Sequence, residues 1–178
     1  MNKTLTVIRE KLSESSYFTE GQIRLSLVCR ILQELGWDIW DPREVYSEFA
    51  IAPSGPRTKV DIALFAEDFT PSVFIAVRAI NSMDRSQTML EKQMRECNRC
   101  NPATFSVITD GKNWRFYLSN TGGEFAEKCY KFINLQEDAL DEIENVFSTF
   151  LSKKSIANGN AKKEADNCMQ AIQEEKVT

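Results

Sequence analysis

Two charged residues interrupt two neighbouring apolar strand patterns, and their types and spacing point to chemistry. Asp61 lies in the first pattern, and Arg78 lies in the second, where it shares a predicted face with Phe74 and Ala76. An arginine among apolar neighbours usually has a carboxylate partner, so we expect Arg78 to pair with Asp61. Because arginine stays cationic at physiological pH, Arg78 can hold a phosphate but cannot readily transfer a proton.

Basic residues also cluster along a predicted helix that follows these strands. They fall within a narrow helical arc that Glu96 interrupts, and the arc lies roughly opposite the apolar residues Leu90, Met94 and Cys97. Two interpretations stay open: a face that contacts phosphates, or the solvated side of an amphipathic helix. The basic stripe, as we call it, consists of Arg85, Lys92, Arg95 and Arg99.

The residue types present exclude several classes of chemistry. The chain has no histidine, which excludes histidine-based triads, general bases and metal ligands. Its five cysteines are an odd number without a disulfide-scaffold spacing, which favours reduced thiols. Cys97-x-x-Cys100 is a weak zinc pattern without a second pair, and Cys97 falls on an apolar helix face. Three tryptophans can either stack bases or seal the core, which is their commoner role: Trp37, Trp40 and Trp114.

Length and charge place this chain of 178 residues among globular proteins of one domain, predicted at residues 1–151. The net charge of −4 means that any DNA contact must use a local basic patch. Residues 1–9 lack the apolar region of a secretory signal, and no run approaches the length of a membrane span, so we expect a cytoplasmic protein without membrane contact. Residues 152–178 are polar and predict a mobile or partner-docking tail, with at most a weak helix through Ala161, Ala165, Cys168, Met169 and Ile172.

Hydrophobic periodicity predicts the elements that position these residues. A short helix is expected at residues 5–12, and Thr19 and Gln22 have the spacing of a capping box before a second helix that Gly36 ends. That second helix is predicted to bury Ile23, Leu27, Val28, Ile31, Leu32 and Leu35.

Alternating patterns then predict strands at residues 45–51, 59–65 and 73–80, joined by short turns into an antiparallel meander. In the second strand, Val60, Ile62 and Leu64 are expected on one face. A turn is predicted at residues 53–56, a helix at 84–99, a strand at 105–109, a hairpin turn at 110–112 leading into a strand at 114–118, and a last helix at 137–151. The predicted fold class is α/β or α+β, with a mixed sheet flanked by helices.

Three stretches in this order resemble the restriction-endonuclease-like core of the PD-(D/E)XK nuclease superfamily. The nearest likeness is to the N-terminal domain of type I restriction enzyme R subunits. The stretches are residues 19–38, which end in Leu-Gly-Trp-Asp; residues 59–65, which carry Asp61; and residues 107–117, which contain Thr-Asp-Gly-Lys-Asn-Trp-Arg-Phe-Tyr. The resemblance covers about residues 20–118.

The resemblance implies a metal site, and this chain departs from it. Family members hold Mg²⁺ with a carboxylate on the opening helix, here Glu20, with an Asp, here Asp61, and with a Glu on the next strand. Ala76 stands at the position of that Glu, and Arg78 at the position of a Lys that helps to activate water. Gln93 keeps the Gln of a Gln-x-x-x-Tyr pattern on the following helix, whereas Cys97 replaces its Tyr.

These departures predict a domain with a degenerate catalytic site and no required cofactor. We expect it to bind DNA, or to act as an accessory subunit of a larger restriction, defence or mobile-element complex. One alternative is an active Mg²⁺-dependent endonuclease in which Asp61 and Glu20 recruit a replacement carboxylate such as Glu48. The other is an acidic scaffold for protein interaction without nucleic acid; the oligomeric state stays open.

Overall fold

A computed structural model describes residues 1–50, 59–67 and 69–177 of the chain. Its centre is a six-stranded sheet in which the strands lie side by side in sequence order. The strands are β1 (Val45–Ala50), β2 (Lys59–Leu64), β3 (Val73–Val77), β4 (Phe105–Thr109), β5 (Asn113–Leu118) and β6 (Cys129–Asn134). The predicted turn at residues 53–56 and Ile51 of the first predicted strand lie outside the described residues.

Helices cover both faces of the sheet, and this arrangement confirms the predicted mixed α/β class. The helices are α1 (Asn2–Ser13), α2 (Glu20–Gln22), a π-helical stretch (Ile23–Val28), α3 (Cys29–Glu34), α4 (Met83–Cys100), α5 (Leu140–Phe150), α6 (Lys153–Ala157) and α7 (Asn160–Val177). Within the described chain, no helix is both long and apolar enough to cross a bilayer.

The pairing of the strands confirms the predicted meander. β1, β2 and β3 pair antiparallel, β3 and β4 pair parallel, and β4, β5 and β6 pair antiparallel again. The parallel pair needs a long connection, which α4 supplies. The buried apolar residues form two clusters. One joins the sheet to α1, the π-helical stretch, α3, α5 and α7, and the other joins the sheet to α4.

The opening helix begins at the predicted capping box. The Thr19 hydroxyl accepts the backbone N–H of Gln22 at 3.2 Å, and Gln22 Oε1 accepts the backbone N–H of Thr19 at 3.1 Å. All six predicted core residues of the helix are buried, although its middle part, Ile23–Val28, has π-helical geometry. Gly36, with φ +89°, adopts the left-handed conformation that ends many helices.

The β4–β5 hairpin packs closely on the π-helical stretch. Gly111 has φ +87°, and a Cβ at this position would lie 2.9 Å from Ile23 Cγ2. Buried Asp110 accepts the backbone N–H groups of Lys112 and Asn113 at 3.1 and 2.7 Å. The predicted turn is confirmed, and it fixes the end of the sheet against the opening helix.

Three details of the strands differ from the predictions. Val60 belongs to the apolar cluster on α4, whereas Ile62 and Leu64 belong to the other cluster, so the three residues do not share one face. β3 ends at Val77, so Arg78 lies just beyond the strand. The sequence analysis missed β6, which follows a 3₁₀ helix at Phe125–Lys128.

The C-terminal segment, predicted as a mobile or partner-docking tail with a weak helix, is helical along most of its length. Residues 153–157 and 160–177 form α6 and α7, and α7 packs against α5 and β6. Ala161 and Ala165 are fully buried in the larger cluster, and the other residues proposed for a weak helix pack against it: Cys168, Met169 and Ile172. Small side chains allow this close packing, although the composition of the segment is mostly polar.

Candidate functional site

Asp61 is the centre of a charged cluster where β2 and β3 separate. Its Oδ2 atom accepts the backbone N–H of Val77 at 2.8 Å and Nη1 of Arg78 at 3.2 Å. The Asp61–Arg78 pair predicted from the sequence is therefore present. The two side chains are 25% and 19% exposed, so the pair is only partly shielded from water.

The local path of the backbone explains why a carboxylate stands here. Paired residues of β2 and β3 run from Leu64 and Val73 to Ile62 and Ile75, and the recorded pairing stops there. The N–H of Val77 then needs an acceptor, which Asp61 supplies from its side chain. Asp61 thus has a structural role at the strand end as well as a charge.

Arg78 is held by several acceptors in fixed positions. Besides Asp61, its Nη1 atom donates to the Val77 carbonyl at 2.6 Å, and its Nη2 atom donates to Gln93 Oε1 at 3.2 Å. Gln93 in turn donates from Nε2 to the Lys59 carbonyl at 2.8 Å, which links α4 to β2. The guanidinium plane is therefore oriented before any ligand binds.

Arg24 is a member of the cluster that the sequence reasoning missed as a site residue. It projects from the π-helical stretch, with Nη1 3.6 Å from Asp61 Oδ1 and 3.7 Å from Glu48 Oε1. Its sequence signal was weak: Arg24 comes two residues after the capping box, and that position alone does not show that the side chain reaches Asp61. Each carboxylate oxygen of Asp61 therefore faces a guanidinium.

Glu48 lies near Asp61, as the alternative with a replacement carboxylate requires. It has φ +55°, and the recorded β1–β2 pairs skip it and Asp61. Its carboxylate contacts Arg24 at 3.7 Å and Lys59 at 4.0 Å rather than standing free for a metal. The cluster thus contains three cations and two carboxylates, an excess of one positive charge at neutral pH.

The other residues carried over from the family resemblance supply no further ligand. Ala76 is 1% exposed and packs its methyl group in the apolar cluster on α4. Glu20 is exposed at the start of its helix, where it makes no recorded contact with Asp61 in the described chain. Among the described residues, no group of three His, Cys, Asp or Glu side chains is arranged to hold a metal ion.

The basic stripe lies on the exposed side of α4, opposite the buried residues Leu90, Met94 and Cys97, as the sequence predicts. Arg95 is 3.7 Å from Glu124, and Arg99 is 3.1 Å from Glu96. These pairs are exposed, so they restrain the two arginines only weakly. Whether the stripe contacts phosphate stays a prediction.

Neither the cysteine pair nor the buried tryptophans form a site in the described chain. Cys97 is buried whereas Cys100 is exposed, and burial raises the pKa of the Cys97 thiol to about 12. Trp37 and Trp114 are core residues whose indole N–H groups donate to backbone carbonyls. Trp40, in contrast, is 79% exposed.

No protein-family model matches the chain, and no match to it was found among curated proteins. The cluster around Asp61 must therefore be interpreted from its own geometry. That geometry orients two guanidiniums and leaves no unpaired carboxylate at their centre. It can bind an anion electrostatically, and it offers poor ligands to a divalent cation.

Proposed function

We propose that the chain is a restriction-endonuclease-like domain that does not cleave, and that it binds DNA or serves as an accessory subunit of a restriction, other defence or mobile-element complex. The observation that carries the proposal is the placement of Asp61 between Arg24 and Arg78. Related nucleases would hold a metal ion beside this residue. Here guanidinium groups supply the positive charge instead.

The exchange of metal for guanidinium has a direct chemical consequence. A bound Mg²⁺ activates water and stabilises charge on the attacked phosphate. A guanidinium can offer hydrogen bonds and charge to a phosphate, but it does not generate hydroxide at neutral pH. A phosphate group at this cluster would therefore be bound without being hydrolysed.

Two features support nucleic acid as the ligand. The side chains of Arg24 and Arg78 are 29% and 19% exposed, so a phosphate can reach them from solvent. The basic stripe adds four exposed cations along α4. Backbone contacts of this kind supply affinity without reading sequence.

The alternative of an active nuclease has one observation in its favour. Glu48 Oε1 and Asp61 Oδ1 lie on either side of the same Arg24 guanidinium, at 3.7 and 3.6 Å. Displacement of that side chain would leave two neighbouring carboxylates, which a divalent cation could then bridge. Mn²⁺-dependent cleavage that depends on both Glu48 and Asp61 would establish this alternative.

The test combines cleavage and retention of one substrate. Supercoiled plasmid is incubated with the full chain in Mn²⁺, beside Asp61→Ala, and retention is measured at two salt concentrations. We expect no cleavage and retention that weakens with salt. Cleavage that is lost in Asp61→Ala would replace the proposal with the active nuclease. If the protein neither cleaves nor retains the plasmid, the protein-interaction scaffold would be the favoured alternative.

Charge reversal locates the DNA-binding surface. The stripe variant changes Arg85, Lys92, Arg95 and Arg99 to Glu, and the matched control changes four exposed lysines on other elements: Lys3, Lys11, Lys154 and Lys163. Both variants have the same net charge. If the stripe contacts phosphates, its variant should lose salt-dependent retention, and the magnitude of the slope of log K against log salt should fall by up to about 3–4. The control variant should then retain DNA more strongly than the stripe variant does.

A further inference from the structure

A second concave site lies beside α4, on a different side of that helix from Gln93 and the Asp61 cluster. It is a cavity of about 270 Å³ between α4 and the 3₁₀ helix at Phe125–Lys128. Its polar and charged groups come from both helices. The lining residues are Thr88, Glu91, Lys92, Arg95, Glu124, Phe125 and Ala126.

Glu91 is the buried polar group of this cavity, with only 8% of its surface exposed. Its Oε1 atom accepts the hydroxyl of Tyr117 at 2.8 Å and Nε2 of Gln87 at 3.0 Å. Burial raises the pKa of Tyr117, which keeps this hydroxyl a donor. Both lone pairs of Oε1 are thereby used, and the orientation of the carboxylate is fixed.

The second oxygen of Glu91 is available to a ligand. In the described part of the chain, Oε2 accepts no hydrogen bond, and it is not among the polar atoms that are sealed from solvent without a partner. A carboxylate oxygen of a nearly buried side chain that is fixed in direction and accepts no hydrogen bond there favours a ligand with N–H groups.

The rim of the cavity favours anions, unlike its interior. Lys92 and Arg95 are exposed cations on the α4 side, and Thr88 adds a hydroxyl group. Glu124 Oε2 lies 3.7 Å from Arg95 Nη1, but Glu124 is 78% exposed, so this pair is weak. The cavity therefore attracts an N–H donor at its interior and an anion at its entrance.

We propose that this cavity binds a single unstacked nucleotide whose base carries an exocyclic amino group. The amino group donates to Glu91 Oε2, and the phosphate contacts Lys92 and Arg95. Adenine, cytosine and guanine have such an amino group. Thymine has carbonyl oxygens at its exocyclic positions, which a carboxylate repels, and its single N3–H donor lies between two of them. The same chemistry is offered by a free nucleotide and by a nucleotide unit of single-stranded DNA, and the second source rests on the proposed function.

The binding test uses base identity as its main variable. The affinities of the full chain for dCMP and dTMP, and for 12-nucleotide oligo-dC and oligo-dT, are compared by calorimetry and fluorescence anisotropy. We expect cytosine to bind about fivefold more tightly than thymine, or better, because one buried acceptor discriminates between them. Equal affinities, tighter binding of thymine or no binding of either base would overturn the proposal. Selectivity in oligo-dC without measurable dCMP binding would assign the site to the polymer.

Variants separate recognition from stability. Glu91→Gln can keep its carbonyl oxygen toward Tyr117 and turn its amide NH₂ into the cavity, so the preference for cytosine should fall to about twofold or move toward thymine. Glu96→Gln, on the same helix but outside the cavity, is the matched control. Because Glu96 lies 4.0 Å from Arg95, this change can alter the phosphate contact that all nucleotides share, but it should keep the base preference. Unchanged selectivity in folded Glu91→Gln would overturn the proposal.

Two further changes keep the proposal testable if Glu91→Gln does not fold. Ala126 is exposed on the lining, so Ala126→Phe should fill the cavity and abolish dCMP binding without a loss of stability. Glu124→Gln releases Arg95 and should tighten dCMP binding about two- to fivefold. Normal dCMP binding in Ala126→Phe would contradict the assigned location.

The results also distinguish this proposal from the proposed function. Selective, Glu91-dependent binding of dCMP without any retention of plasmid would support the nucleotide site and overturn DNA binding. Retention of plasmid without base selectivity in either nucleotides or oligomers would support DNA binding and overturn the nucleotide site.

Discussion

Arg78 Nη1 lies 3.2 Å from Asp61 Oδ2, and that same oxygen accepts the backbone N–H of Val77 at 2.8 Å. One carboxylate therefore satisfies the end of a strand and balances a partly buried cation. Because Arg24 faces its other oxygen at 3.6 Å, a metal ion would have to displace a guanidinium to bind there. This arrangement leads to distinct expectations for metals and for substitutions.

Divalent metal is expected to leave the stability of the protein unchanged. A ligand that binds only the folded state raises the melting temperature, and Asp61 has no free oxygen to provide such binding. Thermal unfolding in millimolar Mg²⁺ or Mn²⁺ should match unfolding in EDTA at equal ionic strength. A rise in melting temperature that grows with metal concentration would contradict this prediction and support the nuclease with Glu48.

Removal of the Asp61 carboxylate should destabilise the fold. Asp61→Ala leaves the Val77 N–H and the Arg78 guanidinium without this acceptor, at a cost of about 1–3 kcal/mol in the free energy of unfolding. Asp61→Asn retains an oxygen for Val77 and should cost less. Denaturant unfolding of both variants and of Arg78→Ala, alone and combined with Asp61→Ala, measures the coupling. Strictly additive effects would mean that the two side chains do not interact energetically.

A methyl group at position 111 should destabilise the hairpin much more than one at position 122. Gly111→Ala places a non-glycine residue at φ +87° and brings its Cβ to 2.9 Å from Ile23 Cγ2, for an expected cost of about 2–4 kcal/mol. Gly122→Ala meets no atom within 4 Å and should change stability by less than about 0.5 kcal/mol. Denaturant midpoints compare the two, and similar values would show that the hairpin does not pack on the opening helix as described.

Alkaline pH should act on the fold partly through Cys97. Burial raises the pKa of its thiol in the folded state to about 12, from the ordinary value of 9.0. The stabilising contribution of the buried, protonated Cys97 thiol to the free energy of unfolding is therefore fully present below about pH 9. It is lost as the pH rises toward 12, because the thiol ionises first in the unfolded chain. Between pH 8 and pH 10.5, wild type should lose about 1–2 kcal/mol more stability than Cys97→Ala. Cys100→Ala removes the smaller electrostatic contribution of the Cys100 thiol to the pKa of Cys97 and leaves its burial unchanged, so its pH profile should stay closer to that of wild type than to that of Cys97→Ala. Parallel pH profiles for all three proteins would refute the assignment.

The sequence was sufficient where one local pattern determines the result. The capping box at Thr19, the meander and the Asp61–Arg78 pair each follow from short-range spacing, and the structure contains all three. Arg24 could not be assigned in this way, because its contact with Asp61 depends on how the opening helix packs against the end of the sheet. Glu91 was equally invisible, since its burial results from the 3₁₀ helix that covers α4.

The strand β6, which the sequence analysis missed, and the helix α7, which it predicted only as a weak helix, had weak patterns for different reasons. In β6, Tyr130 and Ile133 are buried on either side of Phe132, which is 44% exposed, so the burial does not follow a strict alternation. In α7, alanines supply the buried face, and alanine contributes little to a hydrophobic pattern. Composition therefore predicted a tail with only a weak helix, whereas the structure has the long helix α7 packed against α5 and β6.

The packing of α7 can be tested at two alanines of the same helix. Ala165 is fully buried, whereas Ala171 is exposed, so Ala165→Glu should cost about 2 kcal/mol or more and Ala171→Glu less than about 0.5 kcal/mol. Limited trypsin digestion gives a second measurement, because Lys162 and Lys163 should become susceptible only in Ala165→Glu. If both variants unfold and digest like wild type, the segment does not depend on the core, and the mobile tail predicted from composition is the better description. If only Ala165→Glu changes, residues 160–177 belong to the folded domain, and the partner docking predicted for this segment would have to use the outer face of α7 rather than a flexible chain.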